Sequence, residues 1–271
     1  MNQQTTNHPA TTRGRSVERQ IEIDAPIEAV WKALTDAEEL TRWFPLNARV
    51  TPGPGGSIWK QWESEAAGGE DERIEIWKPG QHLRTAGSEG EWAGIATDYY
   101  LQGKGGGTVL RVVSSGFGEG DQWDEILGAW GRGWDFELRG LRHYLENHHG
   151  QRRDVAWAVA PYTCGHEAAW THLTKPGGWF GAGGLTGLDA DSSYSVETAS
   201  GDPLSGVVQV WDPPMQFAGR VEGWNDGMFR AELYSGRVML WLSTYGVPEA
   251  DVQALQGRWR ESVKDLFAGM S

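Results

Sequence analysis

Glu28-Ala29-Val30-Trp31-Lys32-Ala33-Leu34-Thr35, followed by Trp43-Phe44, is answered later in the same chain by Glu167-Ala168-Ala169-Trp170-Thr171-His172-Leu173-Thr174, followed by Trp179-Phe180. A strand-like run precedes each copy, residues 17–23 in the first and 154–159 in the second. The pattern Glu-Ala-x-Trp-x-x-Leu-Thr therefore keeps its order relative to the strand before it and the Trp-Phe pair after it. Chance does not readily preserve three landmarks in order, so the chain reads as an internal duplication. A fourth landmark agrees: Ile76-Trp77-Lys78-Pro79 is matched by Val210-Trp211-Asp212-Pro213.

An amphipathic helix closes each half. In the first, Trp123, Ile126, Leu127, Trp130, Trp134, Leu138, Leu141 and Leu145 recur at the spacing of one helical face. In the second, Pro248 is well placed at a helix start, and Val252, Leu255, Trp259, Val263, Leu266 and Phe267 form the inner stripe. Trp134 and Trp259 occupy equivalent places. Between the opening helices and the closing helix lie short β-rich runs separated by Gly and Pro. They cover 57–62, 73–77, 94–101 and 109–114, then 194–197, 207–211, 216–221, 228–234 and 237–244. Gly103-Lys104-Gly105-Gly106-Gly107 and Tyr234-Ser235-Gly236 are hairpin-length turns, which makes the pairing antiparallel.

The expected fold class is α+β: two tandem helix-grip domains, each a curved antiparallel sheet around a long C-terminal helix. Residues 16–149 form the first and 150–271 the second, with 1–15 as a disordered tail.

These residues resemble a known family. The run from Ala25-Pro26-Ile27-Glu28 to Leu34-Thr35-Asp36, then Leu40-Thr41-Arg42-Trp43-Phe44, is similar to the opening of the START/Bet v1-like superfamily. Its nearest branch is the one named after the activator of the Hsp90 ATPase. The resemblance covers 16–148 and, through the repeat, 152–268. It implies a cavity between sheet and closing helix that takes an apolar or aromatic small molecule. Members include lipid carriers, hormone receptors, polyketide cyclases and proteins of enediyne antibiotic clusters. The branch name by itself assigns no chaperone role.

Composition narrows the function classes. Twenty-four basic against 37 acidic residues give a formal charge of −13, which repels phosphate backbones and anionic lipid, so neither nucleic acid nor a membrane is an expected partner. No apolar run reaches the length of a membrane span, and the polar opening segment does not read as a secretory signal. Cys164 is the only cysteine, which excludes an intrachain disulfide and fits a cytoplasmic protein. No protein partner is indicated by the sequence.

Sixteen tryptophans supply the candidate binding surface. Trp31, Trp43, Trp170 and Trp179 belong to the fold motif. Trp59, Trp62, Trp77 and Trp92 in the first half, Trp211, Trp224 and Trp241 in the second, and Trp130, Trp134 and Trp259 on the closing helices are the expected ligand-binding residues, because aromatic walls with a few polar groups hold a planar hydrophobic molecule. Catalytic chemistry has weaker candidates in Asp98, Tyr99, Tyr100 and Arg111, where a cyclase of this fold would position substrate. Asp71-Glu72 reads as a solvated turn, and His148-His149 as a solvated helix end favoured by the helix dipole.

Neither a metal nor a cofactor is expected. His166-Glu167 opens like a zinc-protease motif, but Trp170 stands where the second histidine is needed. The glycine-rich segment 181–187 misses the dinucleotide fingerprint and reads as a loop.

Three functions remain. The first is a binding protein for a hydrophobic, aromatic or polyketide-like molecule, in antibiotic biosynthesis or producer self-protection. The second is a polyketide cyclase or dehydratase using the same cavity. In the third, one half binds ligand and the other is a degenerate structural or interaction partner.

Overall fold

The computed structural model describes residues 14–62, 68–88 and 90–269. Of the expected tail only Gly14 and Arg15 are among them, and Arg15 already opens the first strand. The first half runs β1 (Arg15–Ile23), α1 (Ile27–Thr35), α2 (Ala37–Thr41), β2 (Asn47–Thr51), β3 (Ser57–Gln61), β4 (Glu70–Lys78), β5 (His82–Gly87), β6 (Ala96–Lys104), β7 (Gly107–Phe117) and α3 (Asp121–Asn147). The second runs β8 (Arg153–Pro161), α4 (His166–Thr174), β9 (Ser193–Glu197), β10 (Pro203–Asp212), β11 (Gln216–Val221), β12 (Gly227–Tyr234), β13 (Arg237–Tyr245) and α5 (Glu249–Phe267).

Both sheets are antiparallel meanders whose first strand pairs with the last. Their orders are β1-β7-β6-β5-β4-β3-β2 and β8-β13-β12-β11-β10-β9. Each is gripped by its terminal helix, so the chain is two tandem helix-grip units. Matching the orders makes β1 equivalent to β8, β4 to β10 and β7 to β13, with β2 left unmatched. The two Trp-Pro landmarks accordingly fall on equivalent strands. In both halves the motif tryptophan meets the strand tryptophan: Trp31 and Trp77 lie 5.2 Å apart, Trp170 and Trp211 5.8 Å.

Local chemistry explains the elements. In α1 the apolar stripe buries Val30, Ala33 and Leu34, and Asp36 then caps α2 by accepting from the Glu39 amide at 3.0 Å. The β6–β7 hairpin turns on Gly105 and Gly106 and the β12–β13 hairpin on Ser235 and Gly236, all at positive φ, as a two-residue turn matched to strand twist requires. Strands β2 and β5 were not expected from the sequence. Their segments, NARVT and HLRTAG, lack the β-branched and aromatic density that marks a strand, and the sheet rather than local propensity holds them.

The second sheet is buried on both faces. On β12, Phe229, Ala231 and Leu233 enter the core under α5, while the alternate residues Met228, Arg230 and Glu232 turn toward the first half. There Phe136 of α3 packs with Ala218 and Met228. Helix α3 is thus shared, with one side on its own sheet and another on the back of its neighbour's. Polar contacts follow the same seam: Arg153 donates to the carbonyls of Phe44 (3.1 Å) and Pro45, and the Tyr245 hydroxyl to that of Arg42 at 3.0 Å.

Candidate functional site

A cavity of about 270 Å³ lies between the inner face of the first sheet and α3. Its apolar wall is Phe44, Trp62, Trp92, Trp130 and Trp134, with Ile126 beside them. Trp130 and Trp134 stand one helical turn apart on α3, and one hydroxyl fixes both: Ser114 Oγ on β7 accepts from Trp130 Nε1 at 2.9 Å and from Trp134 Nε1 at 3.1 Å, and lies 3.0 Å from Thr97 Oγ1. Trp92 donates to Glu70 at 3.0 Å and meets Trp130 edge-to-face at 5.3 Å. Phe44 meets Trp62 in the same way, also at 5.3 Å. Rings held by both packing and hydrogen bonds keep their orientation without a ligand.

The remaining wall comes from the second half, through Arg230, Glu232 and Tyr234 of β12 and Met239 of β13. An annex of about 90 Å³ continues along this seam between Trp62, Phe136 and Trp241. The cavity is therefore composite. Its charged groups are paired across short distances: Lys60, 5 % exposed, with Glu72, and Arg230 with Glu232. Glu137 of α3 faces Arg230 at 3.4 Å. Burial pushes the Glu137 carboxyl up to about 7; Arg230 and Arg153 pull it back, and Glu232 adds to the rise.

The ten expected tryptophans separate into distinct environments. Trp62, Trp92, Trp130 and Trp134 surround the cavity, and Trp241 lines the annex. Trp59 alternates with the inward Ile58 and Lys60, so it lies on the opposite face of the sheet, under the Arg49 guanidinium at 3.8 Å. Trp77 packs on Trp31, Trp211 between Trp170 and Phe217, and Trp224 half-buried against the second core. Trp259 is wholly enclosed by Trp179 and Phe229.

The four weaker catalytic candidates do not converge, because the pleat of β6 sends neighbours to opposite faces. Tyr99 points inward, 5.7 Å from Trp134, and burial holds its phenol well above the ordinary value. Asp98, Tyr100 and Arg111 share the outer face: Asp98 lies 2.7 Å from His82 Nε2, and Tyr100 is sandwiched between His82 at 4.3 Å and Arg111 at 4.5 Å.

Two readings of the sequence need correction. Glu72 is not in a solvated turn; β4 begins at Glu70 and carries Glu72 inward onto Lys60. His148 is not a solvated helix end. It is 5 % exposed and stacks on Tyr245 at 4.3 Å, because the second half covers the end of α3. Nearby, His143 contacts the Asp226 carbonyl, and burial lowers its pKa to about 4. Ligating atoms of His143, His148 and Asp226 lie within 4.8 Å of one another, although Arg220 holds both carboxylate oxygens of Asp226.

Lys60, Glu70, Ser114, Glu137 and Arg230 were not singled out from the sequence. A signal existed for one of them: Glu137 follows Trp130 and Trp134 by seven and three residues, on the same helical face as Leu141.

The family model described as Activator of Hsp90 ATPase homolog 1-like protein matches residues 24–146. No curated protein matches the chain in sequence. Among solved structures, the Aha1 dimer from Colwellia psychrerythraea is 21 % identical over 50 % of this chain and 99 % of its own, with a TM-score of 0.45. CalU16 from Micromonospora echinospora is 24 % identical over 49 % of this chain and 77 % of its own, with a TM-score of 0.41. DynU16, a putative protein in the dynemicin biosynthetic locus, is 17 % identical over 93 % of this chain and 96 % of its own, at 0.41. Among the described residues no helix is long and apolar enough to cross a membrane.

Proposed function

We propose that the protein, whose residues 24–146 match the family model described as Activator of Hsp90 ATPase homolog 1-like protein, binds a planar aromatic or polyketide-like small molecule in the first-half cavity, with the second half as its far wall. The observation that carries this reading is the set of four tryptophan rings held around one space, with Ser114 fixing two of them. A cavity lined by oriented rings and a few polar groups suits a flat hydrophobic ligand. The second half then acts as the structural partner, its own interior occupied by side chains. A role in antibiotic biosynthesis or producer self-protection is the narrower form of this proposal.

Titrating aromatic polyketides into the full chain while following tryptophan fluorescence tests it. Saturable quenching is expected, lost in Trp130→Ala and retained in Trp224→Ala. A diverse panel that leaves the spectrum unchanged overturns the reading. The second reading, a cyclase or dehydratase, is favoured by one observation: a buried carboxyl, Glu137, that titrates near neutrality beside an arginine. Ligand turnover detected by mass spectrometry and abolished in Glu137→Gln would establish it.

A further inference from the structure

The hydroxyl that fixes the two helix tryptophans also sets the direction of a hydrogen-bond chain. Ser114 Oγ accepts from Trp130 Nε1 at 2.9 Å and from Trp134 Nε1 at 3.1 Å. An indole nitrogen only donates and a hydroxyl oxygen has two lone pairs, so these contacts fill the accepting capacity of Ser114. In its 3.0 Å contact with Thr97 Oγ1, Ser114 is therefore the donor and Thr97 the acceptor. The Thr97 proton is left for another group. Among the described residues the Thr97 side chain makes no second hydrogen bond, and none joins it to Thr85 Oγ1 at the paired position of β5. Thr97 is 5 % exposed and lines the cavity. The chain thus ends on a donor at the ligand space, and a buried donor left unpaired costs more than a typical hydrogen bond contributes.

The second half shows that the scaffold itself does not need this polar pair. By strand register Phe229 and Leu242 stand where Thr97 and Ser114 stand in the first half. Trp259, the counterpart of Trp134, keeps a buried Nε1 without a hydrogen-bond partner. The filled half does without the hydroxyls, and the hollow half carries them.

We propose that the cavity selects flat aromatic molecules carrying a hydrogen-bond acceptor in the ring plane, such as a ring ketone or quinone oxygen, with Thr97 Oγ1 donating to that oxygen while the rings lie against Trp130 and Trp134. The inference rests on the reading of the cavity as an aromatic-ligand site, and it names the class of ligand and the residue that selects it. A carbonyl oxygen completes the chain of hydrogen bonds. A ring N–H meets Thr97 at a lone pair and leaves the threonine proton unpaired. A plain hydrocarbon also leaves it unpaired and shuts it off from water.

Neutral tricyclics of one shape separate the cases: fluorenone offers an acceptor, carbazole a donor and fluorene neither. Equilibrium dialysis against the full chain should show fluorenone bound about tenfold more tightly than fluorene, with carbazole no tighter than fluorene. Thr97→Val, which keeps the shape of the side chain, should remove the fluorenone advantage and leave fluorene unchanged, while Thr97→Ser should retain the advantage. Infrared spectra of bound fluorenone give a second readout: the carbonyl stretch should fall below its frequency in an apolar solvent in the parent and in Thr97→Ser, and return to it in Thr97→Val. Fluorenone bound no more tightly than fluorene, an advantage that survives Thr97→Val, or a parent stretch at the apolar-solvent frequency overturns the proposal while leaving the aromatic site standing. The parent spectrum decides by itself if Thr97→Val does not fold. Binding of none of the three overturns the aromatic site, and this inference with it.

Discussion

In the second half Trp179, Phe180, Phe217, Phe229 and Trp259 meet one another at 5.0–6.0 Å and are fully buried, filling the space between sheet and helix. In the first half the same space is lined by rings but not filled. The inner face of its sheet carries Thr97 and Ser114, and by strand register these small hydroxyl side chains leave room that Phe229 and Leu242 occupy in the other copy. The opening motif and strand order are common to both, so the scaffold does not decide whether a helix-grip unit is hollow. A few inward positions on the central strands do. The second half has gained something else, a back face that turns Arg230 and Glu232 into a wall for the first.

The sharpest way to break this comparison is to remove a ring from the filled half. Phe229→Ala should cost about 3–5 kcal/mol in urea unfolding, through lost transfer energy and the cavity left behind. Trp92→Ala, at the half-buried rim of the hollow half, should cost much less while abolishing ligand quenching. Next is the seam: Arg230→Met leaves Glu137 and Glu232 buried without their cation and should cost about 3 kcal/mol by the same measurement. If it does not, the second half is not bound into the first half's cavity as described. Ser114→Ala strands two indole N–H groups and should cost about 1–3 kcal/mol, with a red shift of tryptophan emission as the rings loosen.

Smaller effects come with pH. Because Glu137 is raised to about 7 in the folded chain, the folded state holds a proton that the unfolded state has released, so its contribution to stability falls as the pH rises from the ordinary carboxylate range through 7. His143, lowered to about 4, acts in the opposite sense, its contribution growing as the pH rises from 4 to the ordinary histidine value. Denaturation midpoints of Glu137→Gln against the parent across this range should isolate the first slope. The smallest effect is expected at Trp59→Ala. That ring lies on the outer face, and losing it should leave ligand binding unchanged and stability within about 1 kcal/mol.

Much of the scaffold was legible because its signals are local. A repeated motif, a 3.6-residue stripe and glycine-rich two-residue turns can be read within a short window, and both closing helices and both hairpins stand where they were read. Strand β2 escaped because an exposed edge strand needs no apolar alternation. The site was less legible. Tryptophan type alone does not separate Trp59 from Trp62, three residues apart on opposite sides of the sheet, and Glu72, which pairs with Lys60 at the cavity wall, read as part of a solvated turn.

The amino-acid sequence by itself determined the duplication, the α+β order of elements and the stock of aromatic surface, since these follow from periodicity and turn chemistry along the chain. Only the tertiary structure decided which rings face a cavity, that Glu137 is mostly covered and His148 buried, and that β12 of one half closes the site of the other. The physical reason is that burial of a polar group depends on what docks over it from far along the chain. For Glu137 that cover is Arg230, which stands 93 residues away.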